Sequence, residues 1–322
     1  MVRALWWTAS LLAAGARGAA VARPRRALLT GGATAAAAAT LPQRDVSAAA
    51  PLVEGLWLGT CCDTGDGVRD VVLAALREGW RAFDTAAFYG NEADVGAAIA
   101  ASGVRPSDVR VTSKVWFDSM TYEGAKASAE RSRALLGESL HTLLVHFPGS
   151  IDAVQSPKAN QLRRAATWAA LSDAKRSGVV QSIGVSNYTP RHAREQLRAN
   201  GVPDVVQLES HPFNANGELV DLWRSGGVAT LQAYSPFASG RAPVLADPTV
   251  HAVAQRAKAS PAAVVLAWLR ARGLEPVVKA STPAHRAAAA ASLGLRLADD
   301  DVRALNLLDR GASVAFDAKM IA

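Results

Sequence analysis

The chain has 322 residues, half of them hydrophobic, with a formal net charge of +7 and two cysteines. This is ample apolar material for a large core, while two adjacent thiols, Cys61 and Cys62, exclude a disulfide framework and a cysteine-based zinc site. The charge is unevenly placed: residues 1–44 hold six Arg and no Asp, Glu or Lys, whereas the other 278 residues hold 29 basic and 28 acidic groups. The basicity is therefore no argument for a nucleic-acid partner.

Residues 1–48 read as a targeting leader. Ala4–Ala14 is an apolar stretch of the kind found in short signal segments. Arg25 and Arg26, followed by Ala27-Leu28-Leu29 and an alanine run to Thr40, resemble a twin-arginine signal. Acid-poor, arginine-rich starts are addresses and not fold. The tandem arrangement points to a plastid, stroma or thylakoid lumen, with mitochondrion or secretion as alternatives. No uninterrupted apolar run reaches the ~20 residues needed to span a bilayer, so no stable membrane insertion is expected.

Residues 51–322 read as one domain. Short apolar runs over Gly55–Thr60, Arg81–Asp84, Val109–Lys114, Thr142–His146, Val180–Gly184, Asp204–Leu208, Val228–Ala233 and Pro276–Lys279 read as buried strands. Helical stretches lie between them, for example over Val68–Glu78, Tyr122–Leu136, Leu162–Ser177 and Pro261–Arg272. Thr189-Pro190, Ser260-Pro261 and Thr282-Pro283 mark helix starts, because the hydroxyl accepts a free backbone N–H and proline suits the first helical position. Val302, Leu305 and Leu308 stand at helical spacing in a last helix over Asp300–Asp309. Eight strand–helix units in about 260 residues fit an α/β fold of the (β/α)8 TIM-barrel type. A doubly wound open sheet would need a glycine-rich loop after its first strand. Gly65-Asp66-Gly67 lacks the third glycine and reads as a turn.

Four polar residues fall at the ends of successive strands, where such barrels do their chemistry. Asp84 and Tyr89 lie in Gly79-Trp-Arg-Ala-Phe-Asp-Thr-Ala-Ala-Phe-Tyr-Gly-Asn-Glu92. Lys114 ends the third strand, and His146 ends the fourth, before Phe147-Pro148. A free phenol is a poor acid near neutrality, but a nearby ammonium stabilises its anion. A buried ammonium in turn needs a carboxylate partner. Taken singly, each residue reads as well as a cap, a packing ring or a structural histidine; in this order they make a set that protonates a carbonyl oxygen.

In order and context the four are similar to the catalytic tetrad of the aldo-keto reductase family. The resemblance covers about residues 51–309 and implies hydride transfer from a nicotinamide, with Tyr89 as proton donor, Lys114 and Asp84 as its support, and His146 orienting the carbonyl. It implies cofactor contacts from Thr60, from Ser186 and Asn187 in Gly184-Val-Ser-Asn187, from Gln207, and from Tyr234 stacked on the nicotinamide. Ser235 and Ser239 would meet the diphosphate. Lys279, and Arg286 if its helix is shifted by one residue, would meet an adenosine 2′-phosphate.

Several positions depart from the family's pattern. Ala280, His285, Ala288 and Ala289 replace its usual polar set at the adenosine end. Lys279 and Arg286 still favour a phosphate, so NADPH is expected to bind better than NADH, with NADH as the alternative, but less selectively than in typical relatives. Cys61 and Phe147 stand where indoles are common, while Trp116 is in place. These three, the loop Pro148–Asn160 and the last twelve residues are expected to wall a pocket for a small-molecule aldehyde or ketone. No metal site is expected, and the domain is expected to act as a monomer. Two rival readings are a non-catalytic NADP-binding regulatory subunit and a barrel hydrolase or isomerase. The latter has only Asp84 and Glu92 as rim carboxylates and no histidine pair at ligand spacing.

Overall fold

The computed structural model describes residues 51–61, 65–149, 156–315 and 321. The expected leader and Cys62 lie outside the described residues. Eight parallel strands close into a barrel in sequence order: β1 (Trp57–Gly59), β2 (Ala82–Asp84), β3 (Arg110–Val115), β4 (Leu140–Val145), β5 (Ser182–Ser186), β6 (Val205–Glu209), β7 (Thr230–Tyr234) and β8 (Glu275–Val278). Each expected strand overlaps an observed one. Along the strands the residues alternate: Phe83, Val111 and Val206 join the main apolar core, while Asp84, Lys114 and Gln207 meet one another on the opposite face.

Ten α-helices are seen among the described residues: α1 (Asp66–Arg77), α2 (Glu92–Ala101), α3 (Tyr122–Leu136), α4 (Pro157–Arg176), α5 (Pro190–Ala199), α6 (Gly217–Ser225), α7 (Pro248–Arg256), α8 (Pro261–Ala271), α9 (Pro283–Ala291) and α10 (Asp299–Asn306). The hydroxyl–proline starts at Thr189, Ser260 and Thr282 are all N-caps. Ser156-Pro157 carries the same signal, Asp247-Pro248 caps with a carboxylate instead of a hydroxyl, and both open helices. α4 therefore begins five residues before the expected Leu162, and the expected wall loop Pro148–Asn160 gives its last four residues to that helix.

Polar contacts cross the lumen at two levels, around a small apolar cluster of Trp57, Ala82 and Val277. At the floor Trp57 Nε1 donates to Glu275 Oε2 at 2.6 Å, and Arg110 lies over the indole. Higher up, Gln207 on β6 reaches Asp84 on β2, strands that are not neighbours, so the contact crosses the barrel. Gly184 is required by close approach: a Cβ there would stand 1.9 Å from the Val205 carbonyl oxygen.

Candidate active site

Lys114 Nζ donates to Asp84 Oδ1 at 2.6 Å and to the Thr85 carbonyl at 2.9 Å. Asp84 Oδ2 accepts from Gln207 Nε2 at 2.6 Å, and the same amide nitrogen donates to Gln232 Oε1 at 3.0 Å. Asp84, Lys114, Gln207 and Gln232 are all buried. A carboxylate can only accept, so it fixes which way the Gln207 amide points. Removing one partner of such a buried ion pair typically costs about 3–5 kcal/mol, because the other charge is left uncompensated.

Tyr89 ends a 3-10 turn, Ala87–Tyr89, closed by Gly90 in the left-handed conformation. Its neighbours hold that turn. Asn91 Nδ2 donates to the Thr60 carbonyl at 2.9 Å, and Asn91 Oδ1 accepts from Thr85 Oγ1 at 2.7 Å. Glu92 Oε1 accepts from Ser113 at 2.6 Å and Ser132 at 2.7 Å. The Asn-Glu pair inside the tyrosine motif is thus a clamp that ties the loop to β1, β3 and α3. Lys114 Nζ lies 5.1 Å from the centroid of the Tyr89 ring, which stands edge-on to His146 at 5.8 Å.

His146 is stacked on Phe147 and meets Trp116 edge-on, with centroids at 5.2 and 4.9 Å. Burial first, and the Lys114 charge second, hold its pKa well below the ordinary histidine value. The imidazole is therefore neutral at physiological pH and keeps one N–H to donate. Its Nδ1 has no hydrogen-bond partner among the described residues. Phe88 stacks on Trp116 at 3.9 Å, and Ile321 packs with Trp116 and Phe147. The wall beside His146 is thus aromatic despite the replaced indoles.

A sequence model of the aldo/keto reductase family matches residues 64–310. The chain is 31% identical to the methylglyoxal reductase DkgB of Salmonella typhimurium over 255 residues, 78% of this chain and 91% of that one. It is 32% identical to glyoxal reductase of Bacillus subtilis over 268 residues, 81% of this chain and 92% of that one. A crystal structure of a Bombyx mori aldo-keto reductase in complex with NADP superposes with a TM-score of 0.73 at 29% identity, covering 82% of this chain and 92% of that one. The chain belongs to the aldo/keto reductase family.

In this aldo/keto reductase the other expected contacts form an arc from β5 to β8. Asn187, in the left-handed conformation, donates through Nδ2 to the His146 carbonyl at 2.8 Å and to Ser186 Oγ at 3.1 Å. Its Oδ1 accepts from the Tyr234 hydroxyl at 2.6 Å. Burial, aided by the Glu209 charge, pushes the Tyr234 phenol upward, so it stays protonated. Ser235 and Ser239 share a hydrogen bond of 2.8 Å on an exposed turn. Ser235, Ala238 and Ser239 are all left-handed, at φ near 51–52°. Each non-glycine residue held there costs about 1–3 kcal/mol, strain that clusters at ligand-binding turns. Lys279 is exposed at the end of β8 and donates to the Cys61 carbonyl at 3.3 Å, which places half-buried Cys61 at the same rim.

Two expectations are corrected by the geometry. The Thr60 side chain is buried, and its Oγ1 donates to the Asp84 carbonyl at 3.1 Å. It ties β1 to β2 and offers no free hydroxyl hydrogen to a cofactor. Arg286 is buried too, with Nε and Nη2 on the two oxygens of Glu78 at 2.6 and 2.7 Å. Its Nη1 donates to the Ser281 and Ala280 carbonyls. Helix α9 starts at Pro283 without the one-residue shift that would turn Arg286 outward, and the fork of the guanidinium is already filled by a carboxylate.

Four supporting residues were not singled out from sequence: Asn91, Gln232, Glu209 and Ile321. Gln232 was within reach, because it lies two residues before Tyr234 and so shares its face of the strand. Ile321 was covered only in the general expectation that the last twelve residues wall the pocket.

Proposed function

We propose that this chain reduces small aldehydes or ketones to alcohols, with Tyr89 delivering the proton to the carbonyl oxygen. The observation that carries the reading is the buried Lys114–Asp84 pair, with Lys114 Nζ 5.1 Å from the Tyr89 ring and a neutral His146 across from it. The ammonium favours the phenolate that remains after proton transfer. His146, as a neutral donor, fixes the carbonyl oxygen without competing for the proton. The aromatic wall suits a compact, flat carbonyl compound. The relatives named as methylglyoxal and glyoxal reductases make α-oxoaldehydes the first class to test.

The reducing group is NADPH, in line with the NADP-bound neighbour. The rim fits it. Ser186, Asn187 and Gln207 offer amide and hydroxyl groups for a carboxamide. Tyr234 offers a partly open ring, the Ser235–Ser239 turn two hydroxyls, and Lys279 an exposed charge for phosphate. When bound, the nicotinamide supplies the hydride that no side chain can.

The test is the loss of NADPH absorbance with methylglyoxal, glyoxal and a panel of larger aldehydes. Turnover with one of them supports the reading. Tight NADPH binding without turnover of any carbonyl compound would favour the regulatory-subunit reading instead. The plastid address is a second part of the proposal, and it rests on the arginine-rich, acid-free composition of residues 1–44. A fluorescent fusion of residues 1–60 should collect in plastids; retention in the cytosol would sink it.

A further inference from the structure

Beyond α10 the chain returns across the rim and is held at successive points. The Arg310 and Ala312 N–H groups donate to the Phe213 carbonyl at 3.3 and 2.9 Å, and the Arg310 guanidinium lies 3.9 Å from the Phe213 ring centroid. The next three residues converge on one carboxylate. Ser313 Oγ donates to Glu209 Oε2 at 2.6 Å, the Val314 N–H to Oε1 at 2.8 Å, and the Ala315 N–H to Oε2 at 3.2 Å. His211 Nε2 lies 3.0 Å from Oε1. Arg241, at the end of the Ser235–Arg241 turn, donates to the Val314 carbonyl at 2.8 Å. Further along, Ile321 is 4% exposed against Trp116 and Phe147, and its carbonyl accepts from Arg191 at 3.0 Å.

Glu209 is well placed to matter and is unused by the reaction described above. It ends β6, two residues beyond Gln207 and in register with Tyr234. It is buried at 6% exposure. A carboxylate in such a place is costly unless donors satisfy it. Here two backbone N–H groups, a hydroxyl and an imidazole do so. The arrangement is selective for charge: a glutamine would keep one accepting oxygen and would set an N–H₂ group against donors already present. Burying a charge to hold three residues of a terminal segment makes sense if the position of that segment matters.

We propose that Glu209 is a positioning residue for substrate selection. Resting on the reductase reading above, it anchors residues 313–315 so that Ile321 completes the aromatic wall beside His146. Through that wall it limits the size of the carbonyl compound admitted. Glu209 acts only through the tail; it touches neither the reacting carbonyl nor the tetrad.

The full chain, wild type and Glu209→Gln, is assayed with NADPH against methylglyoxal and against a bulky aromatic aldehyde. The ratio of kcat/KM, bulky over small, should rise about tenfold in Glu209→Gln, the scale that one apolar contact in a pocket commands. Ile321→Ala should raise the same ratio, and the double variant should gain no more than either single one, because both act on one contact. Fluorescence titration should leave the NADPH affinity of Glu209→Gln within about twofold, a change small on the tenfold-per-1.4 kcal/mol scale. If Glu209→Gln does not fold, Ser313→Ala removes one donor without stranding a charge and should raise the ratio less, in the same direction. An unchanged ratio in the folded variant, or independent and additive effects of Glu209→Gln and Ile321→Ala, overturns the inference while the reductase reading stands. A uniform loss on both substrates with weakened NADPH binding also overturns it, since Glu209 would then be supporting Tyr234. A wild type inactive on every aldehyde overturns both.

Discussion

Two buried cations of this barrel look alike in isolation and do different work. Lys114 and Arg286 have side chains only 1% and 2% exposed, and each is paired to a carboxylate at 2.6 Å. Lys114 stands at the end of β3 with its charge in the lumen, and that charge reaches Tyr89 and His146. Arg286 lies in α9, outside the strands, and its fork closes on Glu78 and two backbone carbonyls. The first pair presents a charge to the site and the second neutralises one away from it. A buried cation near a rim is thus identified by what remains for it to act on once its partner is counted.

The sharpest way to break this contrast is at the group Lys114 serves. Tyr89→Phe removes the phenolic hydroxyl and keeps the ring beside the ammonium. Aldehyde reduction should fall by a factor on the order of 10² or more, as for loss of a general acid, while NADPH titration is unchanged. Activity within a few-fold of wild type would show that Lys114 supports some other donor.

Arg286→Ala tests the other side. It leaves Glu78 half-covered without its partner and opens the space filled by the guanidinium. A loss of stability of about 2–3 kcal/mol is expected, below the cost of breaking a fully buried pair, and thermal melting reads it. The ratio of NADPH to NADH affinity should not change. A selective loss of NADPH affinity would put Arg286 back at the 2′-phosphate.

The pH response separates the cations again, since only Lys114 acts on a titrating group of the site. His146 has a folded pKa well below its unfolded value near 6.5. Between those two values the unfolded chain binds the proton and the folded one does not, so stability is lost as pH falls below about 6.5. From pH 7 to pH 5 this one group makes the folded chain progressively less stable. His146→Gln should flatten the fall in Tm over that interval by a few degrees. An equal fall in the variant would assign the acid sensitivity to other histidines.

The fold and the strand ends that carry Asp84, Tyr89, Lys114 and His146 were legible because their signals are local and repeated. Strand runs, hydroxyl–proline caps and the Asp84–Glu92 segment can each be read within a dozen residues. The supporting contacts were not legible, because they join residues far apart in the chain. Gln207 meets Asp84 across the barrel, Glu78 finds Arg286 from α1 to α9, and Glu209 holds Ser313. Nothing in the spacing of Arg286 distinguishes a phosphate ligand from an arginine already filled by a glutamate. Thr60 failed in the same way, its hydroxyl turned to a carbonyl of the neighbouring strand.

The smallest effect is expected at a third cation, and it completes the contrast. Lys279 is exposed at the end of β8, where its ammonium donates to the Cys61 carbonyl at 3.3 Å. With Arg286 engaged by Glu78, and with Ala280, Ala288 and Ala289 lacking polar groups, Lys279 is the charge proposed to read an adenosine 2′-phosphate. A charge-assisted contact at an open rim is screened by water and salt, so it favours NADPH only modestly. Lys279→Ala should weaken NADPH about tenfold, the equivalent of about 1.4 kcal/mol, and leave NADH nearly unchanged. Raising the salt concentration should narrow the wild-type preference in the same direction, because an exposed charge carries it. Titration of both cofactors against wild type and variant, at low and high salt, measures this. Equal weakening of the two cofactors would mean that Lys279 acts on a part they share, such as the diphosphate, and that the 2′-phosphate is read elsewhere.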